Sequence, residues 1–98
     1  MNMDTRSRSA LSASFAEQLR AERAAKRLSR ADLAKASGVS AKAIQRLEEN
    51  EREMDTDQLD RLCAALGVSV LDFVTRAAER MPPDANEPPA QGGAREAR

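Results

Sequence analysis

The side chains able to do chemistry in this sequence are few in kind and many in charge. Its 98 residues include no His, Trp or Tyr, two Phe and one Cys, Cys63. Without imidazole there is no side chain that exchanges protons near neutral pH unaided, and no His metal ligand. One Cys makes neither an internal disulfide nor a zinc site. Two aromatic rings do not furnish the stacking platforms of RNA- and single-strand-binding proteins. There is no glycine-rich phosphate loop and no paired acid in an evident pocket. The sequence therefore predicts no enzyme, no cofactor and no metal. What remains is hydrogen bonding and charge, with 16 Lys and Arg against 16 Asp and Glu. One set stands apart by its spacing. Ala41, Lys42, Gln45 and Arg46 fall on one side of a helical repeat, with apolar Ile44 and Leu47 on the other. Such a face is either simply solvated or free to enter a partner's groove and hydrogen-bond there.

A formal net charge of zero argues against a polyanionic partner only if the charge is evenly spread. It is not. Residues 15–47 carry eight cations against three carboxylates, net +5, and residues 48–80 carry nine carboxylates against four cations, net −5. A basic half joined to an acidic half points to charged partners. No apolar run approaches the ~20 residues of a membrane span. The start, MNMDTRSRSALSASF, lacks the apolar core of a secretory signal. The expected setting is the reduced cytoplasm.

The elements that must position these residues are helical. Leu59, Leu62, Cys63 and Leu66 form an i, i+3, i+4, i+7 stripe, Val70, Phe73 and Val74 form another, and Phe15 and Leu19 lie four apart. Nothing alternates at period two. Cys63, inside its stripe, reads as a core residue. Caps divide the chain into five short helices. Ser14, with Glu17 three residues on, predicts a first helix to about Arg27. Ser29 predicts a second, ended by Gly38. Ser40 predicts a third to about Glu49, with Asn50 able to take a left-handed conformation. Asp55 or Thr56 starts a fourth, ended by Gly67, and Ser69 starts a fifth that stops before Pro82. Residues 14–81 are the folded candidate. Residues 1–13 read as a flexible arm, in which Arg6 and Arg8 could seek phosphate or the minor groove. Residues 82–98 read as a disordered tail, too poor in apolar content to offset the entropy of ordering.

The second and third helices are joined by few residues: ADLAKASGVSAKAIQRLE. So short a connection makes them cross steeply. Ala34 supplies the small residue at the crossing, Gly38 the turn, Val39 a plug, and Ile44 and Leu47 the inner face of the third helix. This is a helix-turn-helix, in which the second helix of the pair presents its first turns to base edges. Residues 15–74, through FAEQLRAERAAKRLSRADLAKASGVSAKAIQRLEEN and LDRLCAALGVSVLDFV, resemble the Cro/phage-repressor (XRE-type) helix-turn-helix family. The resemblance implies an all-α, compact five-helix domain that acts as a dimeric regulator on double-stranded DNA. It places Ser40, Ala41, Lys42, Gln45 and Arg46 at base-reading positions. There Lys42 and Arg46 suit guanine and Gln45 suits adenine. It also makes Arg23 and Glu48 an ion pair between the first and third helices, and gives Arg30 a DNA phosphate.

The reading as a whole is a sequence-specific DNA-binding transcriptional regulator, a dimeric repressor associated with the nucleoid. Helix 40–49 reads the major groove, and Arg30 and Lys35 hold phosphates. The other first-helix cations, Arg20, Lys26 and Arg27, read as a solvated face. A homodimer would use the fifth helix, around Leu71, Val74, Ala78 and Met81. One departure from the family is the segment after the third helix, ENEREMDTD, which carries five carboxylates and one Arg where the family is often basic. It motivates a second reading: a protein-interaction module, such as an antitoxin, anti-repressor or adaptor, that meets a basic protein partner on the acidic 48–60 region.

Overall fold

A computed structural model describes residues 8–83. They form five helices, α1 (Ala10–Ala25), α2 (Arg30–Ser37), α3 (Ala41–Glu48), α4 (Thr56–Leu66) and α5 (Val70–Glu79), and no strand among the described residues. Four of the starts follow the expected caps. Ser29 and Asp32 form a reciprocal capping box, as do Asp55 and Gln58, while Ser40 and Ser69 accept from the amides of Ala43 and Asp72. Each cap satisfies amides that have no partner inside the helix. The Ser29 hydrogen bonds hold the Asp32 carboxyl below its ordinary range. Gly38 and Gly67 close α2 and α4 at φ of +80° and +73°.

The fifth start differs. α1 begins at Ala10, capped by Ser9, not at Ser14. Ser14 is buried inside the helix instead, so residues 10–13 belong to it and not to an arm. Tertiary contacts supply the reason. Ser12 donates to the Asn50 side chain at 2.9 Å, and Arg8 Nε to the Asn50 carbonyl at 3.1 Å, which holds the extra turn down. Glu17 serves no cap and lies 3.8 Å from Arg80. Arg6 lies outside the described residues, as does the tail from residue 84.

The core gathers one face from every helix: Leu19 from α1, Leu33 from α2, Ile44 and Leu47 from α3, Leu62, Cys63 and Leu66 from α4, and Phe73 from α5. Val39 fills the turn between α2 and α3. Phe15 meets Phe73 edge to face, with ring centroids 5.4 Å apart. α1 packs on α5 and α3, and α2 packs on α3 and α4. The α1–α5 seam is also polar. Arg76 donates to Glu22, Gln18 donates to Glu22, and Arg80 donates to Gln18, at 2.7–2.8 Å.

Candidate nucleic-acid interface

α3 is only eight residues long, too short to hold its shape in water alone. Its direction comes from what grips it. Ile44 and Leu47 are sunk in the core. Glu48 is also inward, with no exposed side-chain surface. Arg23 of α1 meets this carboxylate through two nitrogens, Nε at 2.6 Å and an outer nitrogen at 2.9 Å. Such two-pronged pairing fixes direction as well as distance. Burial pushes the Glu48 carboxyl up. The hydrogen bonds and charges of Arg23 and Arg30 outweigh it, so the net shift is downward and Glu48 is ionised at neutral pH.

The C-terminal end of α3 is held by a second group of contacts that sequence reasoning missed. Arg20 donates to the Glu48 carbonyl. Arg8 donates to the carbonyls of Asn50 and Glu51. Asn50 takes φ of +57° and turns the chain there. Cations at a helix C-terminus satisfy orphan carbonyls and complement the helix dipole. Arg20 is therefore not simply a solvated cation, and Arg8 is docked on the chain. The available signal was that Arg20 and Arg23 are three apart on one helix face.

With that face occupied, the opposite one is outward. Ser40, Ala41, Lys42, Gln45 and Arg46 are all exposed. They lie together along α3 from its N-cap to its last turn. Gln45 makes one weak contact, 3.3 Å to Glu49 on the same helix. Lys35 is exposed in the last turn of α2. Arg30 differs from Lys35. It opens α2, is partly buried, and its Nε donates to Glu48 at 2.9 Å. The residues proposed for self-association lie elsewhere. Leu71 is 73% exposed, Ala78 is exposed, and Val74 and Met81 are half-buried.

The helix-turn-helix family model matches residues 19–73. That span runs from within α1 into α5 and contains the whole α2–turn–α3 unit. The chain belongs to the XRE-type helix-turn-helix family. Two crystal structures of ClgR, a clp gene regulator from Corynebacterium glutamicum, share the architecture. One is 36% identical with a TM-score of 0.70, covering 74% of this chain and 95% of that one. The other is 33% identical with a TM-score of 0.69, covering 89% and 84%. A search of curated protein sequences finds no significant match. Within the matched span α3 is the second helix of the α2–turn–α3 pair. Among the described residues no group of acidic or Cys side chains is arranged to hold a metal ion, and no helix is long and apolar enough to cross a membrane.

Proposed function

We propose that this helix-turn-helix DNA-binding transcription regulator acts as a dimeric, sequence-specific repressor, seated on two-fold operators in the nucleoid. The observation that carries the reading is the division of α3. Ile44, Leu47 and Glu48 are buried, and Ala41, Lys42, Gln45 and Arg46 point out on the other side. Inserted in a major groove, Arg46 and Lys42 donate to guanine O6 and N7, and Gln45 pairs with adenine. Ser40 and Ala41 are small enough to let the start of the helix approach base edges. Arg30 and Lys35 hold flanking phosphates and set register without reading sequence. A dimer across α5, through Leu71, Val74, Ala78 and Met81, presents two such helices to half-sites about 34 Å apart. The likeness to ClgR, a gene regulator, supports the same class of work here.

Selection of bound sites from a random duplex library tests the whole reading, because it returns a sequence, a half-site spacing and a symmetry together. Arg46→Ala is expected to erase preference at one position of each half-site, costing about 1–3 kcal/mol there, with an unchanged circular-dichroism spectrum. An unaltered selected site in that variant would remove Arg46 from the readout.

A specific observation favours a second activity on the same domain. Glu49, Glu51, Glu53, Asp55, Asp57 and Asp60 are all exposed along 48–60. Beside a DNA backbone they repel, so this region suits a basic protein partner. The salt dependence of binding to random duplex separates the two. A DNA-gripping dimer shows a steep negative slope of log affinity on log salt, and a pure protein-interaction module shows no duplex binding even at low salt.

A further inference from the structure

Arg20, Arg23 and Arg30 come from α1 and α2, yet all three converge on one residue of α3. Arg23 and Arg30 share the Glu48 carboxylate, while Arg20 takes its carbonyl. Among the described residues, no other carboxylate lies within ion-pair distance of any of the three. Three guanidinium charges therefore face one carboxylate, which leaves two positive charges at the junction of α1, α2 and α3. Glu48 has no exposed side-chain surface, whereas the Arg30 side chain is 37% exposed. The carboxylate anchors Arg30 from the inside through Nε. A guanidinium has four further N–H donors on its two outer nitrogens, in a rigid plane.

We propose that Glu48 is a positioning residue for DNA binding, which aims the Arg30 guanidinium so that its outer nitrogens receive a backbone phosphate at the start of α2. The inference rests on the DNA-binding reading above and adds a role for a residue that no nucleic acid can touch. The surroundings suit an anion. Arg30 and Ala31 occupy the first turn of α2, where backbone amides have no acceptor within the helix. The Asp32 carboxylate is the opposing charge there, and it is turned back onto the Ser29 amide at 3.2 Å. A free arginine must be ordered when it meets phosphate. One held at Nε is ordered already, and its plane is set. A lysine at this position keeps the charge but has a single nitrogen, so it cannot be held by Glu48 and grip a phosphate in the same way.

The test measures affinity of the full chain for one duplex across a range of salt, well below the melting temperature of each variant. Wild type, Arg30→Ala, Arg30→Lys, Glu48→Gln and the Arg30→Ala/Glu48→Gln double variant are compared. Wild type is expected to bind with a steep salt slope; absence of duplex binding at low salt overturns the DNA-binding reading itself. Arg30→Ala should flatten the slope by about 0.9 per protomer, one phosphate each. Glu48→Gln should flatten it similarly, and the double variant should be no weaker than the weaker single one. A purely structural carboxylate would lower the melting temperature and leave the slope alone. That result, or losses in the double variant that simply multiply, refutes positioning. Should Glu48→Gln fail to fold, Arg30→Lys decides. Binding and slope equal to wild type overturn the inference, and loss close to that of Arg30→Ala supports it.

Discussion

Truncating Arg23 to Ala removes two hydrogen bonds from a carboxylate with no exposed side-chain surface and one from the Leu28 carbonyl. Breaking a buried ion pair from one side costs about 3–5 kcal/mol, because the remaining charge is left inside without compensation. Two facts place this case near the lower end. Arg30 still donates to Glu48 at 2.9 Å, and the Arg23 side chain is itself 20% exposed. A loss of about 3 kcal/mol lowers the melting temperature of a domain this size by roughly 12–24 °C. Urea denaturation followed by circular dichroism gives the free energy directly. The decisive comparison is Arg23→Met with Glu48→Leu. Replacing both by apolar side chains removes the buried carboxylate and its main partner, while Arg30, 37% exposed, turns to solvent; such exchanges are often neutral. The double variant should therefore recover most of the loss, to within about 1 kcal/mol of wild type. A single variant that costs under about 1 kcal/mol, or a double variant no more stable than the single one, would refute the reasoning that Glu48 is held by compensation of a buried charge.

Three further outcomes follow from the same geometry. The Glu48 carboxyl is held below its ordinary value in the folded state, so its contribution is complete above the unfolded value of about 4.3. It is lost as pH falls from there through the folded value; a pH titration of stability in Glu48→Gln should be flatter in that window. Burial, with Glu22 and Asp60 adding to it, pushes the Cys63 thiol up to about 11; thiol reagents at pH 8 should label native protein only as fast as it opens, and unfolded protein at once. Leu71→Glu changes a residue that is 73% exposed, so monomer stability should move by no more than about 0.5 kcal/mol; sedimentation should show loss of the dimer if α5 is the interface, and an unchanged dimer would move the interface elsewhere.

Much of the fold was legible because its signals are local. Ser29, Ser40 and Ser69 each cap within three residues. Gly38 and Gly67 stop helices where a positive φ is needed. The turn residues and the stripe on α3 are likewise read within one helical repeat. What escaped the sequence was settled between distant residues. Several serines near the start could cap α1, and Glu17 favoured Ser14 on local grounds. Contacts to Asn50, 38 and 42 residues away, gave the helix an earlier start. The same distance hid the destinations of Arg8 and Arg20. The presence of a cation is legible, but the carbonyl it meets across the fold is not. Position in the sequence gives Arg30 a phosphate alone, because its bond to Glu48, 18 residues on, depends on how α2 packs beside α3.

The short α3 helix separates two kinds of work by side chain. What fastens it to the domain is Ile44, Leu47 and Glu48, the partly buried Ala43 packed on the core, and the carbonyls at its C-terminal end. Everything it offers outward sits on Ala41, Lys42, Gln45 and Arg46. Ser40 alone serves both, since its hydroxyl caps α3 at the Ala43 amide and is exposed beside Ala41. On the proposed readout, target choice can drift, or be redesigned, by exchanging Ala41, Lys42, Gln45 and Arg46 while the buried anchoring set and the stability it confers stay as they are.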